Sequence, residues 1–153
     1  MKVRQAIKLV LKENTTFDLY FKDGVVKRYD ILSLANDFPQ LNALKDRKLF
    51  LKGHLLGWGT VVWNDELDVS CDVVYEEGVD VSNEYNDIEL VVLGFLIKEK
   101  RLKKNLTQID LSKIAMVNQA DLSRIEKGLM NPSIKVINKI CRALDTKLSI
   151  SIK

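Results

Sequence analysis

The chain has 153 residues, of which 46% are hydrophobic and 29% charged, and its apolar runs are far shorter than the roughly 18 residues of a membrane-spanning helix. This length and composition indicate a globular protein of one or two domains, and seven Gly with two Pro exclude a collagen-like or linker-dominated chain. Residues 1–84 carry 11 Lys and Arg against 14 Asp and Glu, whereas residues 85–153 carry 13 against 7. An acidic first part joined to a basic second part predicts two domains with different partners.

Cysteine usage and the start of the chain indicate the cellular compartment. Cys71 and Cys141 form no Cys-x-x-Cys pair, which favours a reducing compartment over a disulfide framework or a zinc cluster. The residues after Met1 are basic, but no apolar segment of a signal peptide follows them. We therefore expect a cytoplasmic protein without a membrane partner.

The first part of the chain is rich in strand-forming residues. β-Branched, aromatic and other apolar side chains recur at Ile7–Val10, Phe17–Phe21 and Val25–Tyr29, and they predict three strands. The last two strands are separated by three residues that end in Gly24. This spacing predicts a hairpin loop, because glycine adopts the left-handed conformation at little cost.

A short helix and a second hairpin are predicted next. The helix is expected at residues 31–36, and the hairpin between residues 50 and 63 with Gly57-Trp58-Gly59 as its loop. Residues 65–77 are acidic and are interpreted as a loop that faces water or a basic partner.

These elements predict an α+β fold with two domains. Residues 1–80 are expected to form a small α+β domain of four to five strands that binds another protein. Residues 78–87 are polar, without a hydrophobic period, and are interpreted as a linker. Residues 88–153 are expected to form a second, helical domain.

Residues suited to catalysis or metal binding are sparse in the first domain. His54 is the only histidine of the chain, so Cys71 has no imidazole partner of the kind that activates a thiol nucleophile. The carboxylates between residues 65 and 72 lack the spacing and the closing Glu of a calcium loop. The sequence predicts no enzyme activity, no cofactor and no metal.

A resemblance covers the first domain from about Lys2 to Glu77. The residues that carry it are Phe21-x-Asp23-Gly24, Tyr29-Asp30 and Trp63-x4-Asp68-x-Ser70-x-Asp72-x2-Tyr75. This pattern resembles a small uncharacterised bacterial domain family whose members are often encoded beside small toxin genes. The resemblance implies a protein-binding role.

The second part of the chain is predicted to be helical. Leu93, Ile97 and Arg101 keep helical spacing within residues 88–104, and this segment is too long for a strand. Asn105 follows, and Asn is the best residue after Gly for a left-handed helix stop.

Three further short helices are predicted by their capping residues. Thr107 offers its hydroxyl as an N-cap with Asp110 three residues later, Asn118 caps the next helix, and Asn131-Pro132-Ser133 begins another. A three-residue joint between the second and third helices predicts a helix-turn-helix unit. Leu148–Ile152 alternates in polarity and predicts a strand or an extended tail.

The helical part also matches a known pattern. The matching residues are Arg101, Leu106-Thr107-Gln108-x2-Leu111, Val117, Leu122-Ser123-x-Ile125-Glu126-x-Gly128 and Asn131-Pro132-Ser133. Over about residues 93–144 the chain resembles the Xre family of Cro and phage-repressor type helix-turn-helix proteins. The resemblance implies sequence-specific binding to double-stranded DNA, commonly by a homodimer on an inverted repeat.

Two residues depart from the family pattern. Met116 stands where the family usually has Gly in the turn. A left-handed conformation costs a non-Gly residue roughly 1 kcal/mol, so we expect the turn to be adjusted or slightly strained. Ser112 stands where the family usually has Ala, and it is small enough to keep the helices close.

Two helix starts are predicted to approach the DNA backbone. Gln108 and Gln119 lie 11 residues apart, which places both amides at helix N-termini on the same side of the turn. Helix N-termini attract phosphate oxygens through their free N–H groups. Thr107 and Gln108 are therefore expected to position the DNA backbone.

The outward surface of the third helix is predicted to contact bases. Gln suits adenine, Arg suits guanine, an Ala methyl touches a thymine methyl, and Asp accepts from cytosine. Asp121 is equally suited to capping Asn118, and Lys127, predicted with Asn131 to flank a phosphate, has plain solvation as its alternative. The predicted DNA-binding residues are Thr107, Gln108, Asn118, Gln119, Ala120, Asp121, Ser123, Arg124, Lys127 and Asn131.

The resemblance implies a structural role for Arg101 and Glu126, a salt bridge between the first and third helices. The basic residues between 98 and 104 are expected to add affinity for DNA of any sequence. A unit of this size reads about half a site, which predicts a dimer with recognition helices about 34 Å apart. Helix four or residues 148–152 supply the candidate dimer surface.

Two functional hypotheses remain open. In the first, the chain is a repressor and an antitoxin: the basic half binds the promoter and the acidic half binds a small basic toxin. In the second, it is a free-standing regulator whose first domain senses a small molecule through Trp58, Trp63, Tyr20 and Tyr29.

Overall fold

The computed structural model describes residues 4–152. The chain divides into two compact units, Met1–Ile88, here the first unit, and Glu89–Lys153, here the second unit. The first unit contains two antiparallel sheets and the second unit is helical. The predicted α+β fold class is confirmed.

Two sheets account for the strands of the first unit. One sheet has the order β1-β2-β3-β7 and consists of Ala6–Leu11 (β1), Thr16–Phe21 (β2), Val26–Asp30 (β3) and Val79–Asp80 (β7). The other has the order β4-β5-β6 and consists of His54–Leu56 (β4), Thr60–Asn64 (β5) and Leu67–Val69 (β6). Two short helices, Arg47–Phe50 (α1) and Cys71–Glu77 (α2), and 3₁₀ segments at Ile31–Leu34, Pro39–Lys45 and Ser82–Glu84 complete the unit.

The core of the first unit lies on one face of the longer sheet. Phe17, Leu19 and Phe21 alternate along β2 and are all buried in this core, as the two-residue period of a strand requires. The ring of Trp63 stacks on Phe50 at 5.9 Å, and its indole N–H donates to the Phe50 carbonyl at 2.9 Å. The aromatic-rich composition of this half therefore builds a core.

The opposite face of the same sheet carries a polar network. Arg28 donates from Nε and Nη2 to the two carboxylate oxygens of the fully buried Asp18, each at 2.9 Å. Tyr85 donates to the same carboxylate, and burial together with this contact raises the pKa of Tyr85 to about 12. Tyr20 donates to Asp87 at 2.9 Å. This network attaches residues 85–87 to the outer face of the sheet.

The predicted linker is therefore wrong. Val79–Asp80 pairs with β3, and Val81 is buried at 4% exposure. Residues 78–87 lack a hydrophobic period because backbone pairing with β3 and side-chain hydrogen bonds, rather than an apolar stripe, hold them to the sheet.

Other predictions for the first unit need correction. The described residues form seven strands instead of four to five, because the predicted acidic loop at 65–77 contains β6, together with α2, and the predicted linker contains β7. Leu67 and Val69 point inward at 4% exposure each, between carboxylates that face water. Phe50 belongs to α1 and to the core instead of opening the second hairpin.

The described residues of the second unit form four helices. They are Ile88–Lys103 (α3, which begins at the last residue of the first unit), Gln108–Ala115 (α4), Gln119–Glu126 (α5) and Ile134–Ala143 (α6). Their core contains Ile97, Leu111, Leu122, Ile125 and Ile140. Residues 148–152 form no strand, so the predicted terminal strand is wrong. An isolated strand has no neighbour there that offers hydrogen bonds.

Candidate nucleic-acid interface

The start of α4 is fixed by reciprocal hydrogen bonds. The Thr107 hydroxyl accepts from the Asp110 backbone N–H at 3.1 Å, and the Asp110 carboxylate accepts from the Thr107 N–H at 2.9 Å. This capping box satisfies two free donors of the first turn. The hydrogen bond from the Thr107 backbone also lowers the pKa of Asp110.

The turn between α4 and α5 contains a left-handed residue. Met116 has φ +56° and ψ +45°, at the position where the family pattern usually has Gly. Val117 donates its backbone N–H to the Ser112 carbonyl at 3.0 Å, which closes the helix end. Ser112 is buried at 8% exposure, and its hydroxyl donates to the Ile109 carbonyl at 2.7 Å.

Asn118 caps α5 in the predicted way. Its side-chain oxygen accepts from the backbone N–H groups of Ala120 at 2.9 Å and Asp121 at 3.2 Å. Leu122 and Ile125 point into the core at 0% and 1% exposure. The opposite side of the helix is therefore presented to solvent.

The predicted DNA-binding residues lie on one side of α5 and around its ends. Exposed members of the set are Thr107, Asn118, Gln119, Ala120, Arg124, Lys127 and Asn131, and half-buried members are Gln108, Asp121 and Ser123. The structure brings two of them into direct contact across the turn. The Gln119 amide donates to the Gln108 side-chain oxygen at 3.2 Å, which joins the starts of α4 and α5.

Arg124 and Asp121 form an ion pair on the exposed surface of α5. The guanidinium Nη2 donates to the Asp121 carboxylate at 2.5 Å, one helical turn away. The carboxylate of Asp121 is therefore used by Arg124 and does not cap the Asn118 backbone. An intrahelical pair of this kind orients the guanidinium before any ligand arrives.

Arg101 and Glu126 form a buried ion pair between α3 and α5. Nη2 of Arg101 lies 2.7 Å from Oε1 of Glu126, and Nε lies 2.9 Å from Oε2. Nη1 of Arg101 also donates to the Leu106 carbonyl at 2.8 Å. Arg101 therefore joins α3 to α5 through Glu126, and to the residue that precedes the α4 cap through the Leu106 carbonyl.

The same packing depends on Gly94, which the sequence analysis did not single out. A Cβ atom at this position would lie 2.3 Å from the Ile125 carbonyl oxygen and 2.7 Å from that of Glu126. The backbone of α3 therefore contacts the C-terminal end of α5 directly. The available signal was an isolated glycine inside a helical pattern, which often marks close backbone packing.

The candidate residues of the first unit do not form a common site. Trp63, Tyr29 and Tyr20 are buried at 5% exposure or less, whereas Trp58 is 68% exposed. These four aromatics therefore do not line one cavity. His54 is exposed, and its ring Nδ1 lies 3.1 Å from the Lys52 carbonyl oxygen.

The part of the chain that the structure describes contains neither a metal-ligand cluster nor a membrane-spanning helix. Within residues 4–152, no group of three or more His, Cys, Asp and Glu side chains is arranged to hold a metal ion. None of the helices in this same range has the length and apolar character that a bilayer crossing requires.

Comparison with known proteins finds relatives for the helical part. A helix-turn-helix family model matches residues 97–150. An HTH-type transcriptional regulator of Archaeoglobus fulgidus is 42% identical over 52 residues, which cover 34% of this chain and 73% of that protein. The ImmF control region 10 kDa protein of Bacillus phage phi105 is 36% identical over 58 residues, covering 38% and 64%.

Solved structures that match the chain include a controller protein. The restriction-modification controller protein C.AhdI from Aeromonas hydrophila is 30% identical, with a TM-score of 0.38, and the match covers 39% of this chain and 89% of that chain. The archaeal regulator is matched over nearly three quarters of its length, which confirms the resemblance predicted for the helical part. The chain therefore belongs to the Xre-type helix-turn-helix family of DNA-binding transcriptional regulators.

Proposed function

We propose that this protein is a sequence-specific repressor in the cytoplasm that also acts as the antitoxin of a small basic toxin. The observation that carries the DNA-binding part is the exposed surface of α5, where Gln119 contacts the start of α4 and Arg124 is paired with Asp121. Both side chains are held by neighbours before DNA arrives, which lowers the entropy cost of binding.

The contacts with the DNA backbone begin at the start of α4. The Thr107 hydroxyl accepts a bond within the capping box and donates its proton to a phosphate oxygen. Gln108 orients Gln119 through the 3.2 Å contact and donates its own amide to the backbone. Lys127 and Asn131 flank a second phosphate beyond the end of α5.

The base contacts come from the middle of α5. Arg124 donates two parallel bonds to guanine, and Asp121 keeps its guanidinium in the required plane. Gln119 pairs with adenine, and the Ala120 methyl contacts a thymine methyl. Asn118 and Ser123 border this surface and complete the set of contact residues.

The protein binds as a homodimer to an inverted repeat. One α5 reads a half-site, and two copies related by a twofold axis place their α5 helices about 34 Å apart, one turn of B-DNA. Exposed lysines at 98, 100, 103 and 104 add affinity that decreases steeply with salt.

The antitoxin part rests on the first unit. Residues 1–84 carry three more acidic than basic side chains, 14 against 11, whereas the DNA-binding half carries an excess of basic ones. A net acidic surface repels DNA and suits a basic protein partner. The same molecule can thus hold a toxin and repress the promoter that encodes both proteins.

Selection of bound duplexes from a random DNA library tests the repressor part. We expect an inverted repeat whose half-site centres lie about 10 base pairs apart, or a multiple of that spacing. A selected consensus with a single half-site would contradict the dimer, and no enrichment of any sequence would contradict specific binding.

Gel-shift measurements on two variants test the orientation on DNA. Arg124→Ala should weaken binding by about 1–3 kcal/mol and relax the preference at one base pair. Gln108→Ala should weaken binding to all sequences alike, because it removes a backbone contact. Lys139→Ala, which removes an exposed charge from α6, is the matched control and should leave the base preference unchanged.

Co-expression tests the antitoxin part. The product of a neighbouring short reading frame that encodes a basic protein should co-purify with the full chain in a stable complex. Failure to co-purify removes the antitoxin role and leaves the repressor role intact.

A further inference from the structure

The first unit contains a groove with an apolar floor. The groove has a volume of about 280 Å³ and lies between the 3₁₀ segments at 31–45 and the start of α2. Leu34 and Val73 contribute to the floor and pack against the core of the unit. Phe38 lines the groove with half of its surface exposed to solvent.

The exposure of Phe38 favours a ligand with an apolar side chain. A half-exposed aromatic ring beside a concave apolar surface is typical of protein-binding sites, where aromatic residues supply much of the contact energy. The volume is too small for a folded domain and suits one or two side chains of a protruding segment.

The border of the groove is acidic. Glu66 and Asp68 line it, and residues 53–88 around them hold nine Asp and Glu but no Lys or Arg. Three of the nine form ion pairs. Glu76 pairs with a cation before β1, Glu84 with one on β3, and Asp87 with one on β1. Glu66 and Asp68 form no ion pair with any of residues 4–152.

We infer that this groove binds a basic segment of the partner protein. A large apolar side chain of the partner contacts Phe38, Leu34 and Val73, and Lys or Arg residues on either side of it face Glu66 and Asp68. The charge of the border excludes nucleic acid and acidic peptides, and it speeds encounter with a cationic partner. The inference rests on the protein-binding part of the proposed function and gives that part its site.

A random dodecapeptide library displayed on phage provides the probe. Peptides are selected on the immobilised full-length protein and sequenced, and their affinities are measured by calorimetry. We expect a large apolar residue flanked by Lys and Arg. Selected peptides without an excess of Lys and Arg, or a library without binders, would overturn the inference.

Two groove variants locate the binding site. Phe38→Ser removes the aromatic contact, and the double variant Glu66→Lys, Asp68→Lys reverses the border charge; each should weaken peptide binding at least about tenfold. The matched controls are Trp58→Ser, an exposed aromatic outside the groove, and Glu13→Lys, an exposed carboxylate outside it. Equal affinities for groove variants and controls would overturn the inference.

Two further readouts separate this inference from the proposed function. Gel shifts with the selected operator should be the same for wild type and groove variants, which shows that the second unit is intact. If the toxin candidate co-purifies equally with wild type and groove variants, the antitoxin role survives and the groove inference fails. If the toxin candidate never co-purifies but the basic peptides bind the groove, the antitoxin role fails and the groove inference survives. A dimer lost in Phe38→Ser would assign the groove to a second copy and would overturn the inference.

Discussion

Each unit buries a carboxylate, and the two carboxylates have different surroundings. In the second unit, the side chains of Glu126 and Arg101 are 1% and 8% exposed, so both charges have left water. In the first unit, the Asp18 side chain is fully buried, but Arg28 keeps 31% of its side chain exposed. Tyr85 donates to the same carboxylate, so Asp18 keeps a donor whichever single partner is lost.

Folding of the second unit therefore depends on a single ion pair, Arg101–Glu126, whereas Asp18 in the first unit is stabilised by several donors. Removing one member of a fully buried pair leaves a charge without compensation, which costs far more than the net value of the pair. A carboxylate with several donors, one of them partly solvated, loses only a fraction of its stabilisation with each. The second unit should therefore be more sensitive to single substitutions.

The largest effect is expected from Arg101→Met. Glu126 would remain buried without its guanidinium, and the Leu106 carbonyl would lose a donor, so the free energy of unfolding of the second unit should decrease by about 3–5 kcal/mol. Urea unfolding followed by circular dichroism measures this. The double variant Arg101→Met, Glu126→Leu should recover much of the loss, because no uncompensated charge remains. A double variant as unstable as the single one would contradict the assigned cause.

Gly94→Ala tests the close packing that surrounds this pair. Its Cβ would lie within 2.3 Å of a backbone carbonyl oxygen, so α3 has to move away from α5 at a cost of about 3 kcal/mol. The control is Gly57→Ala in the first unit, where the added Cβ meets no atom within 4 Å. Only the positive φ of +57° opposes that change, and we expect about 1 kcal/mol. If Gly94→Ala and Gly57→Ala lowered the free energy of unfolding equally, α3 would be able to move away from α5 without an extra cost.

Arg28→Met should have a smaller effect than Arg101→Met. Asp18 would keep the Tyr85 hydroxyl, and Lys12 lies 3.9 Å away; we expect a loss of about 1–2 kcal/mol in the first unit. Lys12→Met should change the stability by less than about 0.5 kcal/mol, since its ammonium is partly exposed and distant. If Arg28→Met lowered the free energy of unfolding as much as Arg101→Met, the claim that the first unit is less sensitive to loss of a single ion-pair partner would be contradicted.

The second unit could be predicted in detail because its signals are local. Thr107, Asn118 and Ser133 each cap a helix through a backbone N–H within three residues of themselves. The first two caps were predicted from the sequence, and the third helix start was predicted as the tripeptide Asn131-Pro132-Ser133. The contact of Gly94 with the end of α5 was not predicted. It joins residues 31 positions apart, and only the packed structure shows that the two helices meet there.

The first unit was predicted less well because its elements depend on distant partners. Val79–Asp80 is a strand only because β3 lies beside it, and the paired residues are more than fifty positions apart in the sequence. Leu67 and Val69 were assigned to an acidic loop, because two inward residues among carboxylates are too few to establish the two-residue alternation of a strand. The groove around Phe38 likewise combines segments that lie about thirty residues apart, which no local motif indicates.

Met116→Gly is expected to have the smallest effect, and in the opposite direction. Met116 is 82% exposed, so its side chain contributes little packing, while its φ of +56° places it in the left-handed region. Glycine removes the steric cost of that conformation but adds chain entropy to the unfolded state. The net result should be a gain in stability of up to about 1 kcal/mol, measured by the same urea unfolding.

Asn105→Gly is the matched control, since Asn105 has φ +55° and follows α3 as Met116 follows α4. Asparagine already adopts the left-handed region more easily than methionine, because its short polar side chain forms local hydrogen bonds there. The gain from Asn105→Gly should therefore be smaller than the gain from Met116→Gly. If both variants gained equally, the strain would belong to the left-handed backbone in general and not to methionine at position 116.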